Sequence, residues 1–82
     1  MPPRSQDFLA LGKAVREARR KAGISQEQLA FDADVDRAFV SALERGQRNL
    51  TLANLLKVCR ALDERPSALF KRWERIAGWK SS

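Results

Sequence analysis

The stretch Ser25–Gly46, SQEQLAFDADVDRAFVSALERG, decides how this chain folds. Ser25 has a hydroxyl suited to capping free backbone amides, and Gln28, three residues on, is placed to reach back and complete a capping box, so a helix starts at Ser25. Leu29 and Ala33 lie four apart on one face of it. Val35 sits in a turn, and Val40 and Leu43 lie three apart on a second helix, so the two helices share an apolar seam. Ala30 falls near their crossing, where a small side chain lets two backbones approach. Asp34 occupies the turn at a place that wants positive φ, a conformation Asp and Asn tolerate better than most residues. Asp36 is the expected cap of the second helix, and Gly46 its left-handed stop.

Turning the second helix by about 100° per residue sorts its side chains. Arg37, Ala38, Ser41 and Arg45 share one face; Phe39, Val40 and Leu43 share the other. An apolar side that anchors the helix, opposite a side of Arg, Ser and Ala, suits a DNA major groove. There Arg pairs with guanine, Ser donates or accepts, and the Ala methyl meets thymine. Alone, such a helix reads more readily as an ordinary amphipathic surface helix with a solvated side. The two caps, the turn and the shared seam tip the reading toward a helix-turn-helix.

Ser25–Ala30 (SQEQLA), with the turn and the closing Leu43, Glu44, Arg45 and Gly46, resembles the Xre family of phage-repressor-type regulators over roughly Leu11 to Phe70. Within it, DRAFVSALERGQRNLT, Asp36 to Thr51, is similar to controller proteins of restriction-modification systems, which regulate their own gene and the endonuclease gene. The resemblance implies an all-α, five-helix phage-repressor-like domain that binds a pseudo-palindromic double-stranded DNA operator as a homodimer. It implies base contacts from Arg37, Ala38, Ser41 and Arg48. Phosphate contacts are expected from Gln26, Ser25, Lys21, Phe39, Arg45 and Asn49, and a structural ion pair between Arg19 and Glu44. Controller proteins often carry Thr at the position of Ala38 and Tyr at that of Phe39, so two hydroxyls are missing here.

The rest of the chain reads as support. Its 82 residues are enough for one domain with a small core, in which about 60% of the unfolded surface is buried, so a partner subunit would add stability. Hydrophobic residues make up 44% and charged ones 32%, the balance of a folded domain rather than a disordered one. Lys and Arg number 16 against 10 Asp and Glu, a net charge of +6 that attracts polyanions. The basic residues are spread along the chain rather than striped on one helix, which favours a duplex over a membrane surface. No apolar run approaches the ~20 residues that span a bilayer, and MPPRSQ lacks the apolar core of a signal peptide, so a cytoplasmic protein is expected. A lone Cys59 with no His excludes a disulfide framework and makes a metal site implausible. No cofactor is expected, and neither a Gly-rich phosphate loop nor a carboxylate cluster suggests an enzyme.

Met1 to Ser5 reads as a flexible arm and residues 6–82 as the domain. Phe8, Leu11, Val15, Ala18 and Ala22 place a helix over Gln6 to Ala22, ended by Gly23. Gly12 lies inside that pattern, at about 1 kcal/mol relative to Ala, and weakens its early turns. The loop Gln47–Leu50 leads to a helix capped by Thr51 with Leu52, Leu55, Leu56, Cys59 and Leu62 on one face. Pro66 opens a fifth helix, where its missing N–H is harmless. Leu69, Phe70, Trp73 and Ile76 form the expected dimer interface of that helix. Two readings of Trp73 and Ile76 stand: contact with a second subunit, or packing within one. Lys71, Arg72 and Arg75 are expected to be solvated. A second functional reading, an antitoxin-type module that binds DNA and holds a protein partner, would use the stripe around Trp73. RNA binding lacks an aromatic stacking platform.

Overall fold

The computed structural model describes residues 5–80, and these form five helices: α1 (Ser5–Ala22), α2 (Gln26–Ala33), α3 (Arg37–Glu44), α4 (Leu52–Ala61) and α5 (Pro66–Ala77). Ser5, placed by expectation in the arm, belongs to α1, and the arm's other residues, Met1–Arg4, lie outside the described residues.

The helix ends follow from local chemistry. Ser25 Oγ accepts from the Gln28 N–H at 3.0 Å, and Thr51 Oγ1 from the Asn54 N–H at 3.1 Å, each holding an amide that the helix leaves without a partner. The capping box is only half made, because the Gln28 side chain turns forward and donates to Asp32 Oδ1 at 2.8 Å. Asp36 caps α3 in extended geometry without a side-chain hydrogen bond. All five helices close by one reversal. A residue of positive φ (Gly23, Asp34, Gly46, Asp63 or Gly78) follows the helix, and its N–H and the next one return to carbonyls of the last turn. At Asp34 the backbone has φ 56 and ψ 48, left-handed as the turn between α2 and α3 demands.

Around one core, α1 packs against α3 and α5, α2 against α3 and α4, and α4 against α5. The core contains Ala14, Val15, Ala18, Leu29, Ala30, Ala33, Val40, Leu43, Leu55, Val58, Cys59, Leu62 and Leu69, with Val35 and Phe39 packed at its edge. Burial pushes the Cys59 thiol upward from its ordinary range, as for a small core side chain with no ionic role.

Several burial expectations change. The inner face of α1 is Ala10, Gly12, Ala14, Val15 and Ala18; Phe8 and Leu11 are half-buried and Ala22 is exposed. Gly12 does not weaken α1. It permits contact: a Cβ there would stand 2.7 Å from the Glu44 carbonyl oxygen and closer still to that of Leu43, so only glycine lets α1 lie against the end of α3. Leu52, at the first position of α4, projects past the face formed by Leu55, Val58, Cys59 and Leu62 and is exposed, while Val58, outside the expected stripe, is fully buried. Leu69 is fully buried within the subunit, which removes it from any dimer surface, whereas Phe70 is exposed.

Trp73 and Ile76 are half-buried and pack against the core, and Trp73 Nε1 donates to the Asp7 carbonyl oxygen at 3.0 Å, tying α5 to α1. Trp79 lies against Trp73 with ring centroids 5.6 Å apart and covers part of that seam. Nor is Arg72 solvated. Its guanidinium bonds Glu64 at 2.8 Å and Glu17 at 2.7 Å, and Arg75 adds a second bond to Glu17, so three separate segments meet there.

Candidate nucleic-acid interface

The position of α3 is set from behind. Val40 and Leu43 have no solvent exposure, and Glu44 is buried among the apolar groups at 8%. A buried carboxylate demands partners. Arg19 supplies two parallel bonds, Nε to Oε2 at 2.6 Å and Nη2 to Oε1 at 2.9 Å, while its Nη1 donates to the Ile24 carbonyl at 2.9 Å. The planar fork of arginine fits a carboxylate in this two-bond manner, which a lysine could not reproduce. Glu44 holds the Arg19 pKa above its ordinary value, chiefly through this hydrogen bonding. Gln26 Nε2 donates to the same Glu44 Oε1 at 3.1 Å, so one carboxylate joins α1, α2 and α3. No buried side-chain nitrogen or oxygen lacks a partner among the described residues.

On the outward side, Arg37, Ala38 and Arg45 are exposed and Ser41 is half-exposed. The Arg45 guanidinium folds along the helix, donating to Ser41 Oγ and to Gln47 Oε1 at 3.1 Å. Ser41 accepts that bond, so its own hydroxyl proton stays available. Arg37 stands at the first turn of α3. Ser25 and Gln26 begin α2, with the Ser25 hydroxyl occupied by its capping bond and one amide hydrogen of Gln26 by Glu44.

Two of the remaining expected residues share the link to α4. Gly46 has φ 74 and would set a Cβ 2.8 Å from Leu9 Cα, so the chain leaves α3 hard against α1. Arg48 and Asn49 follow, both exposed. The Arg48 guanidinium lies over the Phe39 ring, 5.6 Å from its centroid. Phe39 has no polar atom, and the structure gives its ring this cationic neighbour. Lys21 is exposed but is not grouped with α3: it borders a shallow hollow with Ala18, Ala22, Leu62, Asp63 and Glu64, next to carboxylates of the α4–α5 turn.

Sequence reading found the outward face of α3 through its period and missed four arrangements. These are the Gln26–Glu44 bond, the Arg48–Phe39 stack, the Arg72 junction and the Gly12 contact. Each joins residues with no local repeat to mark them. Only Gly12 carried a signal, since a glycine inside a helical pattern can mark a close approach of two backbones as well as a weak turn.

Residues 15–69 match the helix-turn-helix family. Over 62 residues the chain is 44% identical to the control protein C.BamHI of Bacillus amyloliquefaciens, covering 74% of this chain and 76% of that relative. The chain belongs to this helix-turn-helix controller family. Among solved structures, the restriction-modification controller protein C.AhdI from Aeromonas hydrophila superimposes with a TM-score of 0.76 at 48% identity, covering 78% of this chain and 97% of that one. The controller protein C.Esp1396I, solved as a tetramer in complex with its natural 35 base-pair operator, gives a TM-score of 0.80 at 25% identity over 87% of this chain and 93% of that one. In this controller-family chain, no helix among the described residues is long and apolar enough to cross a membrane.

Proposed function

We propose that this chain is a sequence-specific double-stranded DNA-binding transcriptional regulator that acts on a pseudo-palindromic operator as a homodimer, as an autoregulatory controller of a restriction-modification system. The observation that carries this is the outward face of α3, with Arg37, Ala38 and Ser41 open to the outside above a helix fixed from behind by Val40, Leu43 and the Arg19–Glu44 pair. The relative bound to its operator supports the same reading.

In this mechanism α3 enters the major groove. Arg37 reads a guanine edge, Ala38 and Ser41 meet neighbouring bases, and Arg48 approaches from the link after α3. Ser25, Gln26, Arg45 and Asn49 contact the phosphates that set the register, and Phe39 lies against the backbone as an apolar neighbour. The acidic surroundings of Lys21 make its contribution the smallest of the set. Two-fold symmetry places two α3 helices about 34 Å apart, one turn of the duplex. Exposed Phe70 on α5 and exposed Trp79 just beyond its end, with the half-buried Trp73 and Ile76 beside Trp79, offer the apolar surface for self-association. The protein works in the cytoplasm, on the nucleoid when bound, and performs no catalysis.

Selection of bound duplexes from a random pool at physiological salt tests this. The expected outcome is enrichment of a pseudo-palindrome with half-sites one helical turn apart, and an affinity that falls steeply with added salt. Equal recovery of all sequences would reduce the basic surface to non-specific attraction and end the operator reading.

A further inference from the structure

Arg48 is the exposed cation of a short link whose two ends are both fixed. At the start, the Gly46 and Gln47 N–H groups bond the Leu43 and Ala42 carbonyls at 3.0 and 2.9 Å; at the far end Thr51 caps α4. An arginine so placed still has several rotatable bonds, and freezing them on a ligand opposes binding. The structure provides a seat for it. Phe39, in the first turn of α3, has one side of its ring packed at the edge of the core, and the Arg48 guanidinium carbon lies 5.6 Å from the ring centroid. A guanidinium held over an aromatic face within about 6 Å is attracted by the ring quadrupole, and that contact consumes none of its N–H hydrogen-bond donors.

We propose that Phe39 is a positioning residue that pre-orders Arg48 for DNA by holding its guanidinium over the ring. This rests on the DNA-binding reading above and adds a role for a residue that has no hydrogen-bonding group of its own. Phe39 ties the link to the same rigid helix that carries Arg37, so the two arginines approach the duplex as one surface. The ring is required for this, and a hydroxyl on it is not.

The test is a double-mutant cycle on the selected operator duplex, with wild type, Phe39→Leu, Arg48→Ala and the double variant measured at one salt concentration. Leucine keeps apolar contact with the core and removes the quadrupole. Phe39→Leu is expected to weaken binding about two- to five-fold when Arg48 is present, the range of an exposed cation–π contact, and to lose most of that effect in the Arg48→Ala background, where only the ring's own contact with the DNA backbone is left to change. Phe39→Tyr, which retains the ring, restores the coupling. Thermal melting of each variant separates loss of fold from loss of positioning, and Phe39→Met replaces Phe39→Leu if the latter does not fold. Equal losses in both backgrounds, or no loss with Arg48 present, overturn the proposal while leaving DNA binding intact. A wild-type chain that binds no duplex removes the proposal together with the reading beneath it.

Discussion

The two sides of α3 are built on opposite principles. Inward, Val40 and Leu43 are fully buried, the Glu44 carboxylate is shared between Arg19 and Gln26, and the last carbonyls lie against Gly12 of α1 with no room for a methyl group. Outward, Arg37 and Ala38 are open, and Arg45 is held by Ser41 and Gln47 of its own helix and link. A duplex demands both. A helix that rocked by a few degrees would misplace every base contact, while the groups that read bases must exchange water and local partners for DNA at little cost. Substitutions should therefore divide cleanly, with those behind α3 lowering stability and those in front lowering recognition.

The largest effect expected is from Glu44→Ala. It strands Arg19, whose side chain is only 12% exposed, and frees the Gln26 amide. Breaking a buried pair from one side destabilises by about 3–5 kcal/mol, and urea denaturation would measure it. A loss below about 1 kcal/mol would mean that the Ile24 carbonyl and water suffice for Arg19, and the inner side would not be the rigid half of the comparison. Gly12→Ala comes next. The added methyl meets backbone oxygen, which cannot turn aside as a side chain can, so α1 and α3 must separate. About 1–3 kcal/mol is the usual penalty of overpacking, and DNA affinity should fall beyond the loss of folded fraction because α3 tilts.

Arg37→Ala tests the other side. It should leave the melting temperature unchanged and lower discrimination at one operator position by about 1–3 kcal/mol. If preference at every position survives, Arg37 does not read a base. If instead the fold is weakened, the two sides of α3 are not separable.

The residues differ in how far sequence could reach them. The seam of Leu29, Ala33, Val40 and Leu43, the caps at Ser25 and Thr51 and the left-handed Asp34 are local in sequence, and each is present in the structure. Periodicity could place them because a helix repeats its geometry. Leu52 and Leu69 show where it stops: both lie on apolar stripes, and whether a stripe residue is exposed or buried depends on which helix covers it. The Arg72 junction was out of reach for another reason. Glu17 and Arg72 stand 55 residues apart, on helices whose relative rotation no local pattern encodes, and a charged residue on a polar face reads as solvated until its partner is seen. In the interface, the α3 face followed from its period, whereas the seat of Arg48 on Phe39 depends on how the link turns back.

The Glu17–Arg75 pair of the α1–α5 contact supplies the mildest test, since its side chains are 40% and 60% exposed where those behind α3 are buried. Glu17 is held below the ordinary carboxylate value of 4.5, first by its hydrogen bond from Arg75 and then by that from Arg72, with partial desolvation acting the other way. A carboxylate whose pKa is lowered on folding adds stability that is complete above its unfolded pKa and disappears as pH falls through its folded one. The stability difference between wild type and Glu17→Gln should therefore be level from neutral pH down to about 5, then close below about 4.5. It should also shrink with added salt, since solvent reaches both partners. A difference that persists unchanged at pH 3 would show that Glu17 acts through packing, and that Arg72 is anchored to α1 by something other than charge.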